Sequence, residues 1–248
     1  MKPLILIPAR MASTRLPNKP LADICGLPMI VHVLRRAEET GLGPVAVAAA
    51  EPEIVEAVQK AGGKAVLTNP NHPSGSDRIF EALNLIDPDG IYDSIVNVQG
   101  DLPTVEPQTI RAVANLLQDE SVDIGTAIAP IDTDDVRFNP AVVKAVVELP
   151  EGATHGRALY FSRTVVPHNP PHWHHIGLYA YRRSALQRFV AMPPSALEMN
   201  EKLEQLRALS AGMRIEAAVV AEVPLGVDTP AELALAREWI STGHKTHG

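Results

Sequence analysis

Two rhythms of apolar and polar positions run along the first half of the chain. Leu4-Ile5-Leu6-Ile7 is a continuous apolar run closed by Pro8, the pattern of a strand buried on both faces. Pro28 then opens a helical stripe of Ile30, Val33, Leu34 and Ala37, with Gly41 as its stop. Val45 to Ala49 predicts a second strand, and Pro52 a second helix with Ile54, Val55, Val58 and Ala61 inward and Gly62-Gly63 behind it. Ala65-Val66-Leu67 predicts a third strand, followed by a stripe of Ile79, Phe80, Leu83 and Ile86. Ser94 to Val98 is the fourth, followed by Ile110, Val113, Ala114 and Leu117. Strands alternating with helices across short connections predict an α/β fold, a mostly parallel sheet with helices on both faces.

From about Asp123 to Arg182 the rhythm changes. β-type runs dominate (Ile124 to Ile128, Val142 to Val147, Ala158 to Phe161, Ile176 to Tyr181) and no long helical stripe occurs. Beyond it the pattern predicts a helix over 198–211, a strand over 215–220 and a helix over 230–240. With no internal repeat, low-complexity block or linker, the expectation is one domain over 1–248. It carries a β-rich insertion at about 123–182, an arm suited to dimer contacts. The small, polar and basic tail from Ser241 to Gly248 reads as a frayed terminus.

Composition narrows the chemistry. Of 248 residues, 46% are apolar and 21% charged, an ordinary globular balance, and the net charge is −7. That sign argues against non-specific binding to nucleic acid or an anionic membrane. The single cysteine, Cys25, excludes an internal disulfide and a cysteine zinc cluster, and a reducing cytoplasm is the simplest compartment. The apolar run Leu4–Ile7 is shorter than the roughly 7–15 residues of an export signal, and no stretch approaches the ~18 of a membrane span.

In open α/β sheets ligands bind beyond the carboxyl ends of the strands. The segment after the first strand, 8–20, holds Arg10, Arg15 and Lys19 with no acid before Asp23. It suits a polyphosphate cradle, with Ala12, Ser13 and Thr14 letting backbone N–H groups approach; a solvated basic loop is the plain alternative. No glycine-rich dinucleotide or Walker-type fingerprint follows this strand. In His72-Pro73-Ser74-Gly75-Ser76-Asp77-Arg78, Ser76 suits an N-cap and Asp77 a first helical turn, which leaves Gly75 and Arg78 unexplained. Asp101, after Gln99-Gly100, suits either a hard cation such as Mg²⁺ or an ordinary turn. Downstream, Thr229 and Glu232 form a capping box with Pro230 at its first position, which frees Asp228 unless Asp228 itself is the cap. The two acids can meet only if their strands end at the same edge of the sheet. His168, His172, His174 and His175 cluster without regular ligand spacing, so a single substrate contact is preferred to a transition-metal site.

Several stretches together resemble one family. Pro8-Ala9-Arg10, Ser13-Thr14-Arg15-Leu16-Pro17, Lys19-Pro20-Leu21 and Gly26-Leu27-Pro28-Met29-Ile30 look like the opening of the CMP-sugar-acid synthetases, more narrowly of the 3-deoxy-manno-octulosonate (Kdo) cytidylyltransferases. Phe138-Asn139-Pro140 with Val143-Lys144, the run from Ala158 to Arg163, His175 to Tyr179, and Leu203 to Arg207 continue the likeness over nearly the whole chain.

The resemblance implies a Rossmann-like nucleotide-diphospho-sugar transferase fold. It also implies transfer of CMP from CTP to a 2-keto sugar acid with release of diphosphate, for lipopolysaccharide synthesis, by a homodimer. Nucleotide contacts would be Pro8, Ala9, Arg10, Arg15, Lys19, Ser74, Gly75, Arg78, Gln99 and Asp101. Mg²⁺ would be held by Asp101 and Asp228, and Arg10, Lys19, Asp101 and Asp228 would carry the chemistry. The sugar acid would meet Gln99, Arg163, His175, Tyr179, Glu204 and Gln205, with Arg163 on its carboxylate. Leu102 where Glu is usual, Ala48-Ala49-Ala50 for a Thr-Asp-acid run, Met199 for a histidine and a shortened 164–174 stretch are departures. The last two bear on which acid is used, Kdo or a sialic-type or 8-amino relative.

Overall fold

The computed structural model describes residues 1–243, so the expected fraying of the tail falls mainly outside the described residues. In chain order the elements are β1 (Pro3–Ala9), β2 (Asp23–Ile24), β3 (Leu27–Pro28), α1 (Met29–Glu38), β4 (Val45–Ala49), α2 (Pro52–Lys60), β5 (Ala65–Leu67), α3 (Gly75–Ile86), β6 (Ser94–Asn97), α4 (Pro107–Asn115), β7 (Ile124–Pro130), α5 (Asp134–Phe138), β8 (Lys144–Glu148), β9 (His155–Ser162), β10 (Trp173–Arg182), α6 (Arg183–Ala191), α7 (Ala196–Glu201), α8 (Gln205–Ser210), β11 (Ile215–Val219) and α9 (Pro230–Ser241). They group into two compact units. The first comprises Lys2–Tyr92, Asn97–Ile110 and the chain from Pro224 onward; the second comprises Met1, Asp93–Val96 and Arg111–Val223.

In the first unit β1 pairs parallel with β4, and β4 parallel with β5. Leu4 to Ile7 are buried, as their unbroken apolar run requires. Val98 N donates to Leu6 O at 3.1 Å, which brings the turn that follows, Gln99-Gly100-Asp101, beside the end of β1. Helix α1 buries Ile30, Val33, Leu34 and Ala37, all four expected positions. Helix α2 buries only Ile54 and Val58; Val55 and Ala61 are partly exposed. On α3, Ala82 joins Ile79 and Leu83 inside, whereas Ile86, the last helical residue, is 37% exposed.

The second unit is built differently. Its strands follow the order β10-β7-β11-β9-β8, and β8 pairs again with the start of β10 through Ala145 and Lys144, so the five close into a ring. Only β11–β7 is parallel; β10–β7, β11–β9, β8–β9 and β10–β8 are antiparallel. β10 carries a bulge between Ile176 and Tyr179, filled by Thr126 Oγ1, which lies 3.2 Å from Ile176 O and 2.9 Å from Leu178 O. Helices α5 and α6 went unpredicted; α6 starts without a break from β10, and its Ala185, Leu186 and Phe189 are buried. The single helix expected over 198–211 is two. Ser195 and Glu198 form a capping box that opens α7 early, and Lys202 (φ 56°) breaks the run in the left-handed region. Arg207 crosses the break to Glu198 at 2.6 Å. Among the described residues no helix is long and apolar enough to cross a membrane.

Candidate functional site

Strand-end loops of the first unit surround an open cavity of about 480 Å³. Every residue named above for the nucleotide lines it, and so does Asp228. At its floor Lys19 Nζ donates to Asp101 Oδ2 (2.7 Å) and to Asp228 Oδ1 (2.8 Å), and Arg15 Nη2 donates to Asp228 Oδ2 (2.9 Å). The two acids, 127 positions apart, therefore meet at one cation.

Backbone geometry enforces the meeting. Val227 N donates to Asp101 O (3.0 Å) and Leu225 N to Thr104 Oγ1 (2.9 Å), so the last segment runs along the loop after β6. Gly100 is required there, because a Cβ on it would lie 2.7 Å from Pro8 O. Leu16 and Val227 are buried with Ile24, Met29, Leu233 and Ala236 in one apolar cluster. Leu16 follows Arg15 and Val227 precedes Asp228, so this cluster anchors the basic loop and the second acid together. Thr229 caps α9 in a box with Glu232, and Asp228 is left for Lys19 and Arg15.

Charge follows geometry. Burial alone would lower the Lys19 ammonium, but Asp101 and Asp228 outweigh it and hold its pKa above the usual lysine value. Burial would raise Asp228; Lys19 and Arg15 outweigh that and hold it below the usual aspartate value. A cation is thus already stabilised where both carboxylates point. Two hard oxygen donors converging on one cation position are a donor set that suits Mg²⁺, so the residues fit that ion. Among the described residues no group of three or more His, Cys, Asp or Glu is placed to hold a metal ion.

The turn before α3 departs from expectation. The N-cap is Ser74, whose Oγ accepts from Asp77 N (3.2 Å) and donates to Asp77 Oδ2 (2.7 Å); Ser76 is buried inside the first turn. Gly75 packs against Pro8, where a Cβ would sit 3.4 Å from its ring. Arg78 is buried and donates to Thr68 Oγ1 (2.7 Å), Asn69 O (3.1 Å) and Pro70 O (3.4 Å), bracing the 68–70 loop. Burial lowers its pKa, and the like charge of Arg10 adds to the effect. Two supports escaped the sequence reading. Glu51 Oε2 accepts Met11 N at 3.0 Å and holds the basic loop, and His72 lines the cavity while bonded to Glu81. Glu51 lies just past the end of β4 and His72 opens the motif before α3, so position beyond a strand was the one signal either carried.

In the second unit His175, Tyr179, Glu204 and Gln205 come together. The His175 and Tyr179 rings lie 5.6 Å apart, and Phe161 meets His175 edge-on at 4.7 Å. Thr126 Oγ1 has one hydrogen, and two carbonyls of the bulge compete for it. The 3.0 Å bond to His175 Nε2 therefore assigns the ring proton to Nε2 and leaves Nδ1 to accept from Gln205 Nε2 at 3.5 Å. That arrangement needs a neutral ring. Burial, helped by His174, pushes the His175 pKa down to about 3. Burial, with Tyr181 and Glu204 nearby, holds the Tyr179 phenol well above its usual value. Arg163 bonds elsewhere, to Glu201 and Pro140.

Residues 4–215 match the cytidylyltransferase family. The chain is 60% identical over 238 residues to a 3-deoxy-manno-octulosonate cytidylyltransferase of Paramagnetospirillum magneticum, covering 96% of this chain and 97% of the relative. It is 62% identical over 237 residues to the protein of that description from Rhodospirillum rubrum, covering 95% and 94%. A solved structure of a CMP:2-keto-3-deoxy-manno-octonic acid synthetase complexed with CTP matches with a TM-score of 0.89 and 38% identity, over 98% of this chain and 99% of that one. A cytidylyltransferase from Leptospira borgpetersenii, at 16% identity and a TM-score of 0.63, shares the mixed α/β nucleotidyltransferase fold.

Proposed function

The chain belongs to the 3-deoxy-manno-octulosonate cytidylyltransferases, and on that premise we propose that it transfers the CMP group of CTP to 3-deoxy-D-manno-octulosonate and releases diphosphate. The observation that carries the reading is the meeting of Asp101 and Asp228 on Lys19, in a cavity also lined by Arg10 and Arg15.

The anomeric hydroxyl of the acid attacks the α-phosphorus. A new P–O bond forms there, the hydroxyl's proton passes to solvent, the bond to the bridging oxygen breaks in line, and diphosphate leaves. Arg10, Arg15 and Lys19 bind the triphosphate and neutralise charge growing on the leaving group. Lys19 exchanges its two carboxylates for phosphate oxygens as the nucleotide enters. Asp101 and Asp228 would hold Mg²⁺, which would supply charge neutralisation and polarisation at the reacting phosphate. Pro8, Ala9 and the Ser74-Gly75 turn shape the base and ribose side, with Arg78 bracing it from below. Gln99 serves both substrates.

On the acid, the planar fork of Arg163 takes the carboxylate, and His175, Tyr179, Glu204 and Gln205 take its hydroxyls. Two copies associate through the second unit, where Phe138, Leu159 and Met199 are exposed apolar side chains. The work is done in the cytoplasm, and the activated sugar goes to lipopolysaccharide assembly.

The test is diphosphate release from CTP and Mg²⁺ with each of three acids: Kdo, 8-amino-Kdo and a sialic acid. Kdo-dependent release with the highest kcat/KM supports the proposal. Release without any acid, or a preference for another acid, overturns it.

A further inference from the structure

Lys144 on β8 is fully buried, yet among the described residues no carboxylate is bonded to it. Its ammonium donates to three carbonyls: Asn139 O (2.8 Å), Val142 O (2.8 Å) and Arg163 O (3.0 Å). Three acceptors satisfy all three of its hydrogens and stitch the 139–142 turn to the end of β9. A buried ammonium is an expensive staple, since burial lowers its pKa and the nearby charge of Arg163 lowers it further. A methionine would fill the same space without that penalty.

Glu201, the last residue of α7, approaches Arg163 too. Its carboxylate accepts Arg163 N (3.2 Å), Ser162 Oγ (2.9 and 3.1 Å) and Tyr160 OH (3.3 Å). Its own carbonyl accepts Arg163 Nε at 3.3 Å, and Pro140 O, in the turn that Lys144 stitches, accepts Arg163 Nη1 at 3.2 Å. Arg163 is therefore tied at its backbone N–H, its backbone carbonyl, Nε and Nη1. A guanidinium has five N–H groups. Two are committed here, and Nη2 makes no hydrogen bond among the described residues. Among the described residues three N–H groups stay uncommitted, both on Nη2 and one on Nη1.

We propose that Glu201 and Lys144 are positioning residues for Arg163, strapping its main chain and two of its five guanidinium N–H groups so that the remaining three are pre-organised for the carboxylate of the sugar acid. The inference rests on the reading of Arg163 given above. It assigns the affinity for the acid, and not the affinity for CTP, to two side chains that need not touch either substrate. Pre-organisation raises affinity by removing the ordering cost of a long side chain at the moment of binding.

Steady-state kinetics on Glu201→Gln and Lys144→Met tests it. An amide offers one acceptor oxygen and no charge where the Glu201 carboxylate offers two oxygens and a charge, so Arg163 N–H and Ser162 Oγ lose a charged acceptor. The expected result for each variant is a rise of about tenfold in KM for the acid, with KM for CTP within about twofold. Placed in an Arg163→Ala background, Glu201→Gln should have no further effect on the KM for the acid, whereas a merely structural role would multiply the two losses. If Lys144→Met does not fold, Glu201→Gln and its double mutant decide the matter alone. An unchanged acid KM in Glu201→Gln, an equal rise in both KM values, or multiplicative losses in the double mutant overturns the inference. Arg163→Ala by itself separates the two levels of failure. If it leaves the acid KM unchanged, the role of Arg163 falls and this inference with it; if it raises that KM while Glu201→Gln does not, only this inference falls.

Discussion

The two units solve opposite problems. In the first, charges sit on strand-end loops around an open cavity, and they answer one another: Lys19 and Arg15 lie on Asp101 and Asp228. In the second, two polar groups sunk into a strand ring are answered by neutral partners. His175 is buried neutral between Thr126 and Gln205, and the charged Lys144 is bonded by three carbonyls. A site for a multiply charged nucleotide has to exchange its counter-ions each time the ligand comes and goes, so strong but replaceable ion pairs suit it. A site for a hydroxylated acid gains from rigidity, because each hydroxyl is recognised by direction more than by charge. The first unit should therefore fail by losing charge, and the second by losing shape or protonation state.

The largest loss is expected from Asp101→Asn. The substitution is isosteric and removes one of the two charges that meet at Lys19. Turnover, followed by diphosphate release, should fall about 10³-fold, in the range seen when a group that stabilises reacting charge is lost. CTP binding by calorimetry should partly survive, since Arg10, Arg15 and the base-side turn are untouched. Near wild-type turnover would remove Asp101 from the reacting centre and leave the comparison with only a binding site on its first side.

That charge constellation was legible in the sequence for a physical reason. Arg10, Arg15, Lys19, Asp101 and Asp228 all lie in segments that follow a strand, β1, β6 or β11, and strand ends can be read from apolar runs. The second unit was less legible. Its ring closes through pairing of Ala145 with Trp173 and Lys144 with His174, contacts that no local pattern encodes. The break at Lys202 hides within a good helical stripe, because the left-handed φ of 56° at that residue ends α7 and only residues 202–204 separate it from α8. Glu201 reads as a solvated helix carboxylate, since Tyr160 and Ser162 are about forty positions away. Ser74 and Ser76 are equally good caps by type, and the packing of Gly75 on Pro8 accompanies the earlier one.

The second expected effect is on how the charges are held. Leu16→Ala empties a place in the cluster shared with Val227, Met29 and Leu233. Loss of a buried leucine side chain should lower the unfolding free energy by about 2–4 kcal/mol in urea titration. Because Leu16 and Val227 flank Arg15 and Asp228, KM for CTP should rise as well, while the acid KM stays near its original value. A stability loss with both KM values unchanged would show that the cluster supports the fold without setting the spacing of the charges.

The smallest effect tests the second unit by protonation. His175 titrates near 3 in the folded protein, held down first by burial and then by His174, against about 6.5 when unfolded. Above 6.5 neither state binds the proton, and the ring has no effect on stability. As pH falls from 6.5 toward 3 the unfolded chain takes up a proton that the folded protein refuses, so stability is progressively lost across that window and levels off below it. Between pH 7.5 and pH 5.5 the difference amounts to about 1.4 kcal/mol. His175→Gln removes the titrating ring and should flatten the curve by that amount in denaturant midpoints taken at the two pH values, whatever it does to absolute stability. Equal slopes for the two proteins would mean that His175 takes up its proton in the folded state. Thr126 and Gln205 could not then both keep their present roles at its two nitrogens, and the second unit would be an electrostatic site like the first.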